Sequence, residues 1–177
     1  MNIGIIGATG EVGKTVLKIL KNNNRYENIY LSASQETSIK NKNIISVEEL
    51  LEKDLQIVIC AAGSKISLKW APIFAKKNIK VIDNSSAWRM SENVKLIVPE
   101  VNASILKQND FIIANPNCST IQLVMILNPL QLNFGLKRIL VSTYQSVSGS
   151  GKEALNQLEN ESKNKINCHY WGGFTNI

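Results

Sequence analysis

The sequence predicts an α/β fold built on a doubly wound parallel sheet, and three observations support this fold class. Short runs rich in Ile and Val, such as NIGII and LQIVIC, alternate with helical patterns such as VGKTVLKILKN. The runs are continuously apolar, which is typical of parallel strands covered on both faces. A glycine-rich turn joins the first strand to the first helix. Together these features indicate a Rossmann-like sheet assembled from βαβ units.

The first half of the chain alternates regularly between the two kinds of element. After the first strand and helix, the pattern predicts in order the strand IYLSAS, the helix VEELLEK, the strand LQIVICAAG, the helix SLKWAPIFAKKN and the strand IKVIDNSS. Each apolar run is separated from the next by a helix, so we expect the strands to be parallel.

The second half begins with KLIVPEV and the strand-like FIIAN, followed by a helix over about residues 119–132 that Ser119 or Thr120 would cap. RILVSTYQSVS is predicted as a further strand and SGSGKEALNQLENESKNK as a polar helix. The strand starts a second unit that the tail GGFTNI does not complete. The predicted fold class therefore includes the start of a truncated second α+β domain.

Composition excludes several classes of protein. The chain has 177 residues, 44% of them hydrophobic, which suffices for one sizeable core. No apolar run reaches the roughly 18 residues that span a bilayer, and no secretory signal is recognisable, so a cytoplasmic protein without a membrane partner is expected. The net charge of +6 comes from scattered lysines without interleaved aromatics, which favours a solvated surface over nucleic-acid binding. Three cysteines without CxxC spacing and a single histidine predict no metal site.

The glycine-rich turn GATGEVG predicts dinucleotide binding. Gly7 permits the tight turn, Gly10 lets a phosphate approach the backbone, and Gly13 lets the helix pack closely on the strand. The N–H groups and the dipole of the helix that follows favour an anion. Three glycines serving only a turn is the less favoured alternative, because the motif stands between a strand and a helix.

Side chains at the end of the second strand are expected to contact the ribose of a bound dinucleotide. In the segment SASQETSIK, the side chains that would accommodate a 2′-phosphate are Ser32, Ser34, Thr37 and Lys40, whereas Glu36 would suit a plain ribose. The choice between NADP and NAD stays open at this point.

Cys118 lies in NPNCST, between a predicted strand and a predicted helix. Helix N-termini favour the thiolate form of a cysteine, which is the form that attacks a substrate. Asn117 offers an amide that could hold a substrate or an oxyanion. A buried structural cysteine is the alternative that this pattern alone leaves open. Cys60 and Cys168 are both interpreted as structural.

Four further residues lie at or after the ends of predicted strands, where open α/β sheets present functional groups. Arg89 in DNSSAWRM is either an ordinary exposed arginine or a bidentate anion ligand. Gln145 is either a surface residue or a functional amide. Ser148 and Gly149 belong either to a flexible loop or to a cofactor contact.

Five segments, in this order and spacing, resemble those of the aspartate-semialdehyde dehydrogenase family: GATGEVG, DNSSAWRM, VPEVN, NPNCSTIQLV and STYQSVSGSGKEAL. The resemblance runs from Met1 to about residue 160. NPNCST with a downstream STYQSVSG is its most specific part. The related N-acetyl-glutamyl-phosphate reductases typically carry Gly and Tyr around their cysteine, where this chain has Asn117 and Ser119.

The resemblance implies reductive dephosphorylation of L-aspartyl-4-phosphate to L-aspartate 4-semialdehyde with NADP, on the biosynthetic route to lysine, threonine and methionine. It implies that Cys118 is the nucleophile, that Gln145 orients the substrate, and that Arg89 binds the phosphoryl group. Asn117 would assist beside the cysteine. The expected cofactor contacts are Gly7, Thr9, Gly10, Glu11, Val12, Gly13, Glu36, Thr37, Ser148 and Gly149.

Two departures from the family pattern limit these expectations. The family usually has Arg-Ser after the second strand, where this chain has Gln35, Glu36 and Thr37, so NAD is not excluded. The family's general base is a histidine in its C-terminal half, and His169 lies in the wrong place to replace it.

The expected organisation is a dinucleotide-binding domain over residues 1–132 and an incomplete start of the substrate and dimerisation domain over 133–177. A homodimer is implied for the full-length family, but this chain lacks much of the domain that would form it. The alternative function is a catalytically inactive, nucleotide-binding remnant of the enzyme.

Overall fold

A computed structural model describes residues 1–23, 25–33 and 44–163. Seven strands are present in this part of the chain: β1 (Asn2–Ile6), β2 (Asn28–Ser32), β3 (Ile44–Ile45), β4 (Ile57–Cys60), β5 (Lys80–Asp83), β6 (Lys95–Leu96) and β7 (Ile112–Ala114). The helices are α1 (Glu11–Lys21), α2 (Val47–Leu51), α3 (Ser64–Lys76), α4 (Pro99–Asn102), α5 (Cys118–Phe134) and α6 (Lys152–Ser162).

The seven strands form one parallel sheet in the order β3-β2-β1-β4-β5-β7-β6. The chain runs outward from β1 to β3 and then returns to the other side of β1 to start β4. The strand order therefore reverses at β1, and the carboxyl ends of β1 and β4 border the crevice where open α/β sheets bind ligands. The predicted Rossmann-like doubly wound sheet is confirmed.

Each face of the sheet carries its own buried cluster, which explains why the strand sequences are apolar without alternation. Around α1 the buried residues are Ile3, Ile5, Ala8, Leu17, Leu20 and Leu31. On α2 and α3 and the strands beneath them they are Ile6, Val47, Leu50, Leu55, Val58, Cys60, Trp70, Ala71, Phe74, Ile79 and Val81. α2 begins with a capping box, in which the Ser46 and Glu49 side chains each accept a hydrogen bond from the other residue's backbone N–H.

The chain divides into two compact units, Met1–Asn117 and Cys118–Ile177. The first unit contains the whole sheet and both buried clusters. In the second unit the structure describes α5, a 3-10 turn over Val147–Ser150 and α6. The expected domain boundary at residue 132 stays a prediction, because a compact unit and a functional domain need not share their limits.

The predicted strand RILVSTYQSVS is wrong. Residues 136–146 have neither helical nor strand structure, and Leu140 and Tyr144 expose 81% and 96% of their surface. A strand needs a hydrogen-bonded neighbour, and no strand among the described residues pairs with this segment. Its β-branched and aromatic residues favour a strand, but no neighbouring strand among the described residues is present to pair with it.

The helix predicted over 119–132 is confirmed as α5, but it begins one residue earlier, at Cys118. Ser119 and Thr120 therefore lie inside the helix. The prediction that one of them is its N-cap residue is wrong. None of the described helices combines the length and the apolar character that crossing a membrane requires.

Candidate functional site

The glycine-rich turn connects β1 to α1 with the backbone geometry that its sequence predicts. Gly7 has φ +85°, a left-handed conformation that residues with a Cβ rarely adopt. Its N–H and that of Ala8 both donate to the Ser32 carbonyl, at 2.8 and 3.1 Å. A Cβ on Gly13 would lie 2.2 Å from the Gly7 carbonyl oxygen. Gly13 is thus required for the close approach of α1 to the end of β1.

Gly10 leaves space beside the start of α1. It is the N-cap residue, has ordinary extended backbone angles, and a Cβ there would meet only the Gly7 carbonyl oxygen at 3.4 Å. Lacking a side chain, it makes no capping hydrogen bond to the first turn of the helix. Glu11 in that turn pairs with Lys14 at 2.8 Å. Phosphate binding at this helix start stays a prediction, with which the space beside Gly10 is compatible.

Arg89 lies on the turn that follows β5, and its half-buried guanidinium is held by backbone carbonyls. Its Nε donates to the Asn115 carbonyl at 3.0 Å and its Nη2 to the Asn84 carbonyl at 3.3 Å. The Asn115 side chain in turn donates to the Asn84 side chain. Arg89 is therefore not an ordinary exposed arginine, since its direction is set by the ends of β5 and β7.

Three side-chain pairs hold the turn that carries Arg89. Ser85 Oγ donates at 2.8 Å to Oδ2 of Asp83, the fully buried last residue of β5. The hydroxyls of Ser86 and Ser64 are hydrogen-bonded at 3.0 Å. The pair of Trp88 and Ser67 completes the set: the Trp88 indole N–H donates to Ser67 Oγ at 2.9 Å.

Sequence reasoning missed all three pairs. Ser64 and Ser67 lie 22 and 21 residues away from their partners along the chain, so no local spacing relates those two pairs, whereas Asp83 and Ser85 are only two residues apart. The only available signal was the run DNSS itself, in which small hydroxyl side chains after a strand favour a hydrogen-bonded turn.

Cys60 is a core residue, as its sequence context predicted. It ends β4 with 1% of its surface exposed. Burial raises the pKa of its thiol to about 11, and the nearby charge of Asp83 acts in the same direction. A thiol with that pKa is protonated at neutral pH, so Cys60 is a poor nucleophile.

Cys118 is exposed and is the first residue of α5. Its Sγ lies 3.8 Å from Oε1 of Gln145, which belongs to the same unit. The structure thus brings together the two residues that the sequence analysis assigned to catalysis.

Ser148 and Gly149 lie in the 3-10 turn immediately after Gln145. A Cβ on Gly149 would stand 3.2 Å from Nε2 of Gln145, tighter than an ordinary contact. The Ser148 hydroxyl is hydrogen-bonded to that of Ser146 at 2.9 Å. The amide of Gln145 therefore lies against Gly149, whose lack of a side chain leaves room for it.

The remaining candidate positions fall into two groups. Thr9 and Asn117 are half-buried, and Val12 is 46% exposed on the first turn of α1. Several lie outside the described residues: Ser34, Gln35, Glu36, Thr37, Lys40, Cys168 and His169. Among the residues that the structure describes, no group of three or more His, Cys, Asp or Glu side chains is arranged to hold a metal ion.

Two family models match the chain. The model described as semialdehyde dehydrogenase, NAD binding domain, matches residues 2–109, and the semialdehyde dehydrogenase, dimerisation domain, matches residues 127–171. Aspartate-semialdehyde dehydrogenase of Aquifex aeolicus is 45% identical in an alignment 174 residues long, which covers 91% of this chain and 51% of the relative. The Bacillus subtilis enzyme of the same name is 39% identical over 175 residues, 94% of this chain and 51% of the relative.

Solved structures give the same result. Aspartate semialdehyde dehydrogenase II of Vibrio cholerae, complexed with ASA, superposes with a TM-score of 0.80 at 39% identity, over 92% of this chain and 51% of that one. The Candida albicans enzyme with NADP gives a TM-score of 0.60 at 25% identity, over 76% of this chain and 48% of that one. The chain spans about half the length of these relatives. These matches, together with the glycine turn, show that the chain belongs to the semialdehyde dehydrogenase family and is similar to aspartate-semialdehyde dehydrogenases.

Proposed function

We propose that this chain supplies the nucleotide-binding part and the nucleophile of an enzyme that converts L-aspartyl-4-phosphate to L-aspartate 4-semialdehyde. The observation that carries the proposal is the pairing of an exposed helix-start thiol, Cys118, with the Gln145 amide at 3.8 Å. The similarity to enzymes named aspartate-semialdehyde dehydrogenase supports the choice of substrate.

In the proposed reaction the Cys118 thiolate attacks the acyl carbon of the substrate, the carbon–oxygen bond to phosphate breaks, and inorganic phosphate leaves. The product of this step is a thioester on Cys118. The nicotinamide nucleotide, when bound, would supply the hydride that reduces this acyl group. The carbon–sulfur bond then breaks, which releases the aldehyde and returns the thiolate of Cys118. Gln145 lies beside the sulfur and orients the reacting carbonyl group, and Asn117, directly before the cysteine, assists it.

The phosphate that leaves needs a cation. Arg89 is suited to this role, because backbone carbonyls hold its guanidinium in one direction. A fixed guanidinium binds an oxyanion with less loss of side-chain entropy than a mobile one. We therefore assign the phosphoryl group of the substrate to Arg89.

The glycine turn fits a dinucleotide. Gly7 and Gly13 bring α1 against β1, and the space at Gly10 admits a pyrophosphate to the helix start. We assign the cofactor contacts to the turn from Gly7 to Gly13, and further contacts to Glu36, Thr37, Ser148 and Gly149. We propose NADP, as in the Candida albicans structure, with NAD as the alternative. A cytoplasmic location completes the proposal, and we propose a homodimer for the full-length enzyme rather than for this chain.

The test is turnover in the reverse direction. The chain is mixed with aspartate semialdehyde, inorganic phosphate and NADP or NAD, and the formation of reduced cofactor is followed by absorbance. We expect turnover that is lost in Cys118→Ala and retained in Cys60→Ala, which removes the buried thiol instead. Nucleotide binding is measured in parallel by calorimetry.

The outcomes separate the two candidate functions. Cofactor binding without turnover would support the alternative, a nucleotide-binding protein that does not itself catalyse. Turnover that survives Cys118→Ala would contradict the thioester mechanism. A chain that binds neither NADP nor NAD would contradict both functions.

A further inference from the structure

The turn from Asn84 to Met90 depends on side chains for its conformation. It leaves the sheet at the carboxyl end of β5 and contains neither helix nor strand, so the strand ladder does not fix it. Its first residue is attached to the sheet, since the Asn84 N–H donates to the Cys60 carbonyl at 2.9 Å. From there to Arg89, the position of the backbone depends on what the intervening side chains contact.

The contact of Trp88 is the one nearest to Arg89. Its indole N–H donates to Ser67 Oγ on α3, and Ser67 is fully buried. The ring also packs against the buried cluster beneath α3. The Trp88 carbonyl then accepts from the Ser91 N–H at 3.0 Å, which fixes the backbone on the far side of Arg89. The contacts of Trp88 thus hold the backbone on both sides of Arg89.

The Arg89 guanidinium depends on this placement. Its two carbonyl acceptors belong to Asn84 and Asn115, and the Asn115 N–H donates to the Asp83 carbonyl at 2.8 Å, so both acceptors are fixed to the sheet. The two acceptors are fixed by backbone hydrogen bonds, whereas the segment from Ser85 to Trp88 is held by side-chain contacts. A shift of the turn by about 1 Å would therefore take the guanidinium out of hydrogen-bonding range of both.

We infer that the hydrogen bond from Trp88 Nε1 to Ser67 Oγ positions Arg89 for binding phosphate, and that Trp88 and Ser67 are positioning residues of the site. The inference rests on the proposed role of Arg89. Neither side chain needs to touch the anion. Each acts by keeping the guanidinium in the direction that its two backbone acceptors define.

The first readout is the order of the Arg89 side chain, which needs neither turnover nor phosphate. In the 15N-labelled chain, the Arg89 Nε–H signal is followed by NMR and assigned with Arg89→Gln. In the unaltered chain we expect slow exchange with water, since this N–H donates to a carbonyl. In Trp88→Phe, which keeps an aromatic ring but lacks the N–H, and in Ser67→Ala, we expect the signal to broaden or exchange faster.

The second readout is the affinity for inorganic phosphate, measured by 31P NMR titration. Trp88→Phe and Ser67→Ala should each raise the Kd about 3- to 10-fold, and the double variant should be no worse than either single one. Arg89→Gln should raise the Kd at least about 10-fold. Trp70→Phe is the matched control: it removes an indole from α3, where that ring packs against Phe74, and leaves the pair of Trp88 and Ser67 intact.

The results test the anion-binding role of Arg89 separately from the positioning role of Trp88 and Ser67. If Arg89→Gln leaves the Kd unchanged, or the unaltered chain binds no phosphate, the role of Arg89 is refuted and this inference with it. If Arg89→Gln weakens binding but Trp88→Phe changes neither the Kd nor the Arg89 signal, the positioning role alone is refuted. Equal effects of Trp88→Phe and Trp70→Phe on both readouts would indicate a general loss of packing and also refute it.

Discussion

Cys60 ends β4 beside the charge of Asp83 and is buried, whereas Cys118 begins α5 and is exposed. The sequence context already separated them, because Cys60 ends a continuous apolar run and Cys118 stands among Asn, Pro and Ser. The 3.8 Å approach of Gln145 to Cys118 did not follow from sequence. The two residues are 27 positions apart, and a loop of irregular structure brings them together.

The buried thiol of Cys60 should make stability depend on alkaline pH. Its pKa is raised in the folded state from 9.0 to about 11. The unfolded chain therefore loses this proton first, and the stability contribution of Cys60, complete below pH 9, is lost as the pH rises to 11. We expect the free energy of unfolding of the unaltered chain to fall by about 2–3 kcal/mol more than that of Cys60→Ala over this interval.

Urea denaturation at a series of pH values between 8 and 11 measures this difference. Cys118→Ala, which keeps Cys60, should show the same decline as the unaltered chain. Parallel pH profiles for the unaltered chain and Cys60→Ala would contradict the assignment.

At the scale of elements, the turn between β1 and α1 was predicted in detail, because close backbone approach demands glycine whatever surrounds it. The turn that carries Arg89 was not, since it is fixed by α3 through Ser64 and Ser67. The failed strand at 138–148 has a related cause. Propensity is local, but strand formation needs a partner that propensity does not supply.

Two glycine substitutions should separate the structural and ligand-binding requirements of the first turn. Gly13→Ala places a Cβ 2.2 Å from a backbone oxygen and should lower the free energy of unfolding by about 1–3 kcal/mol or more. Gly10→Ala has 3.4 Å of clearance and allowed backbone angles, so stability should change by no more than about 1 kcal/mol. Its Cβ would nevertheless occupy the space assigned to the pyrophosphate.

Chemical denaturation measures the stability of Gly13→Ala and Gly10→Ala, and calorimetric titration measures their affinity for NADP. We expect Gly10→Ala to lose at least about 10-fold in affinity while it remains folded. Unchanged affinity in Gly10→Ala would mean that no phosphate approaches the backbone at this turn.

At the scale of the whole molecule, the buried clusters lie within Met1–Asn117. In the second unit, Ala154 is the one buried apolar residue among those described, although α5 is rich in Leu and Ile. We therefore expect residues 1–117 alone to fold cooperatively, and residues 118–177 alone to show no cooperative transition, because a helix without a packed face is marginal in water.

Urea unfolding of the two fragments, followed by circular dichroism, checks this expectation. In the 1–117 fragment, Leu50→Ala should cost about 2–5 kcal/mol, since Leu50 is fully buried. Lys76→Ala, on the exposed end of α3, is the control and should be nearly neutral. A non-cooperative 1–117 fragment would mean that its stability depends on the second unit.

The sequence by itself determined the parallel sheet, the glycine turn and the separation of a core cysteine from an exposed one. These features follow from apolar runs, backbone sterics and local polarity, which act over a few residues. Only the tertiary structure decided that Arg89 is held by carbonyls of the residues that directly follow two strands, that Trp88 reaches Ser67, and that the segment after α5 is not a strand. Those features depend on atoms distant in the chain, and proximity in space is fixed only when the whole sheet and its helices have packed.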